Sequence, residues 1–339
     1  MSILLTGGLG FIGSHVAAVL QEHGQEVVLL DNLCNSQASV AKQLELLCAQ
    51  PIPFYEGDVR DHALLDSIFS KHPITAVMHF AGLKSVAQSV QDPLLYFDNN
   101  VGGTITLLQV MQRHGIHQLI FSSSATVYGV PLYLPYDEAH PTKPINPYGR
   151  AKLQVEEILA DLAISDKRWA IAALRYFNPI GAHPSYTIGE LPNDQPNNLM
   201  PYINQVASKH RPFLTVFGND YDTKDGTGER DYIHVMDLAE GHVAALRFLD
   251  TSAGLHTLNL GTGQPYSVLE MIQTFEKASG QTIPVQMGPR REGDLPIYYA
   301  SAAKAQSILH WQAKRSLWEM CDSAWKFQLQ HLRSLTASV

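Results

Sequence analysis

The sequence predicts an α/β protein, a doubly wound parallel sheet with a smaller mixed C-terminal lobe. Three observations lead there. Short apolar runs alternate with longer stretches of helical periodicity through the first half of the chain. A glycine cluster, TGGLGFIGSH, follows the first apolar run directly. Beyond residue 178 the regime changes, with Pro, Asn and Gly gathered in 178–198 and again in 218–230. Strand and helix in alternation imply parallel strands covered on both faces.

The runs SILLT (2–6), EVVLL (26–30), PFYEG (53–57), TAVMHF (75–80) and QLIFSS (118–123) are expected as buried strands. Apolar residues at helical spacing fill the intervals, as in 93–114. A further strand, AIAALRYF (170–177), follows a helix that starts near Pro147. GLHTLNLG (254–261) reads as a strand returning to the same sheet. The expected units are therefore 1–178, rejoined by segments near 230–262, and a lobe made mainly of 179–339.

Composition excludes several classes. The chain of 339 residues, 45% hydrophobic, can bury a large core. Its formal charge of −8 argues against nucleic acid and anionic membranes, which call for a basic patch. No apolar run approaches transmembrane length, and MSILLTGGLG lacks the features of a signal peptide. Cys34, Cys48 and Cys321 are scattered, which fits reduced thiols and a cytoplasmic location. His234, Asp237 and His242 fit no H-E-x-x-H spacing. DYDTKDGTGERD is a poor calcium loop, with Lys224 at a ligand position, so no metal is expected.

Gly7, Gly10 and Gly13 fall at three-residue intervals, and Gly8, Gly10 and Gly13 also satisfy G-x-G-x-x-G. Between a strand and a helix, such glycines permit a tight turn and a close approach of backbone to pyrophosphate. The helix start then offers free N–H groups and partial positive charge. An ordinary glycine turn would need no partner downstream. Here Asp31 ends the next strand, where the ribose-binding acid of a Rossmann-type site belongs. Its carboxylate suits ribose hydroxyls and repels a 2′-phosphate, and the following NLCNS holds no arginine to offset that repulsion. NAD is expected over NADP. Asp58, in EGDVRD, can either bind an adenine amino group or cap the next helix; both readings stay open.

INPYGRAKLQ sets Tyr148 and Lys152 one helical turn apart on one face. Alone, Tyr-x-x-x-Lys is an ordinary packing pair. Next to a dinucleotide site it becomes a candidate general base. FSSSATVYG places Ser122, Ser123 and Ser124 at the carboxyl end of the fifth strand, which faces the ligand crevice of an open α/β sheet. One of them can reach a hydroxyl that Tyr148 deprotonates. A phenol with a pKa of about 10 must drop by ~3 units, or about 4 kcal/mol, to serve near neutrality. A unit charge ~4 Å away acts on that scale at an effective dielectric near 20. Lys152 and a positive nicotinamide ring are expected to supply it.

Together with HFAGLKSV, NNVGGT, LRYFNPIGAHPS, PNNLMPYI, FGNDY, DGTGERDYIHVMDLA and RREGDLP, these motifs make essentially the whole chain resemble the extended short-chain dehydrogenase/reductase family. Within it, the resemblance is to the UDP-sugar 4-epimerases. It implies reversible interconversion of UDP-galactose and UDP-glucose, part of galactose metabolism. C4 is oxidised to a 4-keto sugar, which turns over while its diphosphate stays clamped and is then reduced on the other face, with NAD as a built-in carrier. Ser124, Tyr148 and Lys152 match the family's catalytic trio. The NAD pattern carries over to Phe11, Ile12, Asp31, Asn32, Asn35 and Ser36, beside the glycine loop. It continues through Asp58, Val59, Phe80, Ala81, Gly82, Lys84, Asn99 and Phe177.

For the sugar nucleotide, the resemblance implies Lys84, Ser124 and Tyr148 near the sugar, with Asn178, Asn198, Leu199 and the stretch Thr215, Val216, Phe217. Arg230 and Arg291 can pair with the two phosphates as forked donors, and Asp294 joins them. Tyr298 falls where the family limits the sugar pocket, with the adjacent Tyr299 leaving that register open by one. A homodimer through helices near 93–114 and 147–164 is also implied. Three departures stand out. Leu9 replaces a small residue and is expected to crowd the pyrophosphate slightly; Ala87 and Gln88 replace glycine and glutamate near the sugar; Arg150 and Ala151 vary between the catalytic pair and are expected to point away from it.

Competing readings remain. A 4,6-dehydratase needs an Asp-Glu pair after the catalytic hydroxyl residue, where this chain has Ala125 and Thr126. An epimerase of UDP-glucuronate or UDP-pentoses fits the same motifs. A non-catalytic NAD-sensing protein would be expected to have lost one of Ser124, Tyr148 and Lys152.

Overall fold

The large sheet is built from β1 (Ser2–Thr6), β2 (Glu26–Asp31), β3 (Phe54–Glu56), β4 (Ile74–His79), β5 (Gln118–Ser124) and β6 (Ala170–Tyr176). Three strands of the smaller lobe follow in the chain, β7 (Asn178–Ile180), β8 (Leu214–Phe217) and β9 (Glu229–His234), before β10 (Gly254–Leu260) closes the large sheet. The computed structural model describes residues 1–337 except 194, 195, 197 and 292. The seven strands are all parallel, in the order β10-β6-β5-β4-β1-β2-β3. All five residues of β1 are buried, as befits a strand covered on both faces.

One apolar cluster packs the helices Phe11–Glu22 and Val235–Leu249 on one face, through Val16, Leu20, Leu238 and Val243. Another packs the helices His62–Lys71, Gly103–Arg113 and Pro147–Ser165 on the other, through Leu65, Leu107, Met111, Val155 and Leu159. Each such side chain contributes about 1.5–3 kcal/mol when fully buried. The chain leaves β1 in opposite directions along the sheet, toward β2 and toward β4. The crevice at this reversal lies outside the carboxyl ends of the strands, which is where ligands bind in open α/β sheets.

The smaller lobe adds β11 (Pro265–Ser267), β12 (Val285–Gly288) and β13 (Ile297–Tyr298). β9 is flanked by β11 and β13 and also pairs with β7, while β8 pairs with β12. Its core gathers Met200, Ile203, Met271, Phe275, Met320 and Trp325 from three helices. The segment near 230–262 is thus divided: β9 joins the smaller sheet, and the helix Val235–Leu249 with β10 joins the large one.

The stretch expected as one helix over 93–114 is broken. Pro93–Tyr96 and Gly103–Arg113 are α-helical, with a π-helical turn, Phe97–Gly102, between them. Two features fix the break. A Cβ on Gly103 would stand 2.7 Å from Val59, so the backbone approaches closely there. Asn100 also turns its amide inward, accepting from Leu83 N–H at 2.8 Å and donating to Leu83 C=O at 3.0 Å. Such π turns are frequent at functional sites.

Candidate active site

The glycine loop meets the residues after β4. Thr6 of β1 stands opposite His79 of β4, and its carbonyl accepts from the N–H of both Phe80 and Ala81. Gly7 has φ 68°, and a Cβ there would lie 2.7 Å from Ala81 N. A Cβ on Gly13 would lie 2.3 Å from Gly7 O. Among the described residues, no side chain caps the helix Phe11–Glu22. Its first N–H groups, with Phe11, Ile12 and Gly13, are left for an anionic ligand beside the bare backbone of Gly10. Leu9 does not crowd this surface, contrary to expectation. Its side chain is buried in the apolar cluster beneath, and its N–H donates to Asp31 at 3.0 Å.

Asp31, buried at the end of β2, accepts further hydrogen bonds from Leu33 N–H at 2.9 Å and Ser36 Oγ at 2.7 Å. Asn32 and Asn35 are exposed beside it. Asn32 donates to Asp58 at 3.1 Å. Asp58 is not the helix cap: Asp61 takes that place, accepting from Leu64 N–H at 3.0 Å. Arg60 grips Asp58 instead, and its guanidinium holds that carboxyl at about 2. Val59 is buried in the core, and Asn99 is half-buried in the π turn. Gly82 brings its backbone near Asn100 and Lys152, where an added Cβ would lie 3.6 Å from the Lys152 ammonium.

Asn146 caps the helix that carries the tyrosine, accepting from Gly149 N–H at 2.8 Å, and Pro147 opens its first turn. The helix aims Tyr148 and Lys152 at the end of β5. There the Ser122 hydroxyl bonds Tyr176, and Ser123 Oγ donates to Glu156 at 2.5 Å, which leaves Ser124 to face Tyr148. Ser124 Oγ itself accepts from Thr126 N–H at 3.2 Å. Between the pair, Arg150 is exposed and Ala151 is buried.

The expected tuning of Tyr148 is not a property of the chain alone. Burial pushes its phenol above the usual tyrosine range, against the pull of Ser124. Burial likewise lowers Lys152 to about 8, opposed by Glu156. The ammonium donates to the Ser122 carbonyl at 2.7 Å and lies 6.0 Å from the Tyr148 ring centre. Adjacency of charge is legible in a sequence, but the desolvation that raises the phenol here is not.

Across the crevice, Asp294 sits between the two arginines. Arg291 Nε donates to it at 2.9 Å, and Arg230 Nη2 stands 3.8 Å away. Arg291 also covers the Phe217 ring at 4.9 Å. Thr215 is half-buried in β8, while Val216 is buried in the lobe core and offers only backbone. Leu199 opens the helix Leu199–Ala207. Among the described residues, the buried Asn178 Oδ1 has no hydrogen-bond partner. Tyr298 stacks on Phe177 at 5.1 Å, under Arg230 at 5.5 Å. Glu292 and Asn197, which carry part of the motif resemblance, lie outside the described residues.

Sequence reading missed Glu190. Its Oε1 accepts from Lys84 Nζ at 3.2 Å and from Asn198 Nδ2 at 2.9 Å, joining two expected substrate residues across the lobes. Nothing in spacing could have signalled it, because Lys84 lies 106 positions away.

Comparison with known proteins shows the family. Residues 3–261 match the NAD dependent epimerase/dehydratase family. A UDP-glucose 4-epimerase of Neisseria meningitidis serogroup C is 53% identical over 326 residues, covering 96% of each chain. Among solved structures, a UDP-glucose 4-epimerase from Stenotrophomonas maltophila, with NAD and formylated UDP-arabinopyranose bound, superimposes with a TM-score of 0.96 at 50% identity. That match covers 98% of this chain and 99% of the other. The UDP-glucose 4-epimerase of Bifidobacterium longum, in complex with NAD+ and UDP, gives 0.95 at 46% identity, covering 98% and 99%. The protein belongs to the NAD dependent epimerase/dehydratase family.

Proposed function

We propose that the protein interconverts UDP-galactose and UDP-glucose by transient oxidation at C4, with NAD held in the crevice. The observation that carries the reading is the meeting of Ser124, Tyr148 and Lys152 at the end of β5, between a bare glycine cradle and the paired arginines of the smaller lobe. NAD fits that cradle: Gly7 and Gly13 leave no room for a side chain, and Asp31 waits at the ribose position without a neighbouring arginine in 32–36. When bound, it supplies the hydride acceptor and donor together with a positive charge. Tyr148 then takes the proton of the sugar 4-hydroxyl, and Ser124 orients that hydroxyl. Lys152 favours the phenolate. Arg230 and Arg291 hold the diphosphate, so the sugar can turn while its nucleotide stays fixed. Binding at a remote part of the substrate thereby serves the chemistry.

Full-length likeness to named 4-epimerases supports this reaction over a dehydratase, and Ala125–Thr126 supplies no acid pair for elimination. One observation favours a second substrate class: the Stenotrophomonas relative holds a UDP-pentose derivative. The deciding experiment adds purified protein to UDP-galactose without added NAD and follows UDP-glucose. Conversion supports both the reaction and a resident cofactor. Turnover of UDP-pentoses alone would move the assignment to the second class.

The same reading assigns 1–178, with the return near 230–262, to NAD and 179–339 mainly to the UDP-sugar. It includes a homodimer through the helices Gly103–Arg113 and Pro147–Ser165, where Ile105 and Ile164 are exposed. It also includes a cytoplasmic location, in keeping with three free cysteines. No described helix is long and apolar enough to cross a membrane.

A further inference from the structure

Tyr148, Lys152 and Glu156 recur every four residues along one helix and so share a face. The end of β5 runs opposite them, and each of its three serines meets one member. Ser124 lies against Tyr148, the Ser122 carbonyl accepts from Lys152 Nζ at 2.7 Å, and Ser123 Oγ donates to Glu156 at 2.5 Å. The three contacts form a ladder. Its last rung is a carboxylate only 5% exposed.

Arg175 grips that carboxylate from β6, where it stands opposite Ser123. Its Nε donates to Oε1 at 2.9 Å and its Nη2 to Oε2 at 2.5 Å. The guanidinium, 6% exposed, also stacks on the Tyr128 ring at 4.8 Å. Replacing a buried ion pair by well-packed apolar residues is often neutral or stabilising, so stability alone does not account for this one. Its place, one turn beyond Lys152, does.

We infer that Glu156, locked by Arg175, is a positioning residue for the Tyr148–Lys152 pair: it fixes the helix against the serines of β5 and cancels the Arg175 charge that would otherwise press on Lys152. This rests on the reading of Tyr148 and Lys152 as the proton-transfer pair. The charged and titratable groups around Lys152 are few. Tyr148 and Glu156 share its helix, His79 faces it from β4, and Arg175 stands behind Glu156 on β6. Tyr176 faces Tyr148. Burial keeps His79 neutral, at about 3. Glu156 is thus the anion that sustains the lysine charge against burial.

The test compares Glu156→Gln with Glu156→Gln/Arg175→Gln in the protein as purified. Lys152 titration is read by NMR of isotope-labelled lysine, with Lys152→Met to identify the resonance, beside kcat and KM for UDP-galactose across pH. Glu156→Gln leaves Arg175 uncompensated. Lys152 should titrate about one unit lower, the effect of a unit charge across roughly 10 Å at an effective dielectric near 20. Both limbs of the kcat profile should move down with it. At the optimum, kcat should fall about 100-fold, the loss a 1 Å misplacement can bring, with KM unchanged. The double variant leaves no lone charge. Its Lys152 should titrate between Glu156→Gln and the wild type, while kcat stays low because the rung is missing. An unmoved Lys152 in Glu156→Gln, or full kcat in the double variant, would overturn the inference. If the single variant does not fold, the double variant decides through kcat. The titration is read without substrate, so an inactive wild type would refute the proposed reaction and leave this result to be judged separately.

Discussion

In the crevice of the large sheet, the groups assigned to a dinucleotide arrive in short contiguous runs, Gly7–Gly13 after β1, Asp31–Ser36 from the end of β2 and Phe80–Lys84 after β4. In the smaller lobe, the groups assigned to the sugar nucleotide are scattered from Asn178 to Tyr298 and come from loops and short strands. The crevice is fixed by backbone and by strand ends. Asp31 is buried and held by three hydrogen bonds, and Gly13 has no room even for a methyl group. The lobe is held by its own side chains: Asp294 occupies both arginines, and the Arg291 side chain is 58% exposed. A dinucleotide therefore meets a preformed surface. On the proposed reading, a diphosphate would compete with Asp294 for Arg230 and Arg291.

The largest effect is expected between the two regions. Tyr148→Phe removes one hydroxyl from a packed ring and leaves the glycine cradle and the arginine pair intact, so the protein should fold and retain NAD. Activity should fall by at least ~100-fold, the lower end for a positioned general base. Normal turnover would transfer the proton to another group, with Ser124 the nearest candidate.

Next comes the clamp. Arg230→Ala should raise the KM for UDP-sugars by an amount equivalent to about 2–5 kcal/mol, as for truncating one partner of a buried charge pair. Arg291→Ala should cost less, since its more exposed side chain is better screened. The difference should vanish for ligands lacking the diphosphate. Equal defects in both variants, independent of the diphosphate, would make the arginines braces for Asp294 rather than ligand groups.

The contrast also explains what the sequence could disclose. Parallel strands buried on both faces leave continuous apolar runs, so β1, β2, β4, β5 and β6 were legible within a residue or two; β10, a half-buried edge strand, also fell within one residue of its expected span. Motif residues of the crevice sit at the ends of those strands and were legible with them. β7, β11 and β13, each of two or three residues, have no pattern of their own and exist through pairing with β9. Asn100 and Glu190 act by holding other residues, which no local spacing encodes. The burial that raises the Tyr148 phenol was not legible, because it depends on what the tertiary fold lays over the ring.

A smaller effect tests the crevice itself. Asp31→Ala should weaken NAD binding by about 1.5–3 kcal/mol, the worth of hydrogen bonds to a charged group, and relax the discrimination against NADP. Direct binding of the two cofactors to the stripped protein measures both. A wild-type preference for NADP would contradict the role given to this carboxylate.

The smallest effect concerns Tyr298, where the two regions meet. Its ring stacks on Phe177 at 5.1 Å, touches Tyr136 edge-on at 6.2 Å and lies beneath Arg230 at 5.5 Å. In β13 it stands opposite Arg230 of β9, so the clamp and this ring share one side of the lobe. Tyr299 follows it, its carbonyl accepting from Tyr136 N–H at 2.9 Å, and successive side chains of an extended segment turn to opposite faces. On the proposed reading, the Tyr298 ring would fill space beside the sugar that an N-acetyl group needs, while that of Tyr299 would not. Forcing extra atoms into a packed site costs roughly 1–3 kcal/mol, a discrimination of about 5- to 150-fold. Wild-type protein should accordingly act on UDP-galactose and poorly on UDP-N-acetylglucosamine. Tyr298→Cys should admit the larger sugar with little change toward the smaller one, and Tyr299→Cys should not. Comparable wild-type rates on both sugars would remove the gate and leave the ring as packing between Phe177 and Arg230.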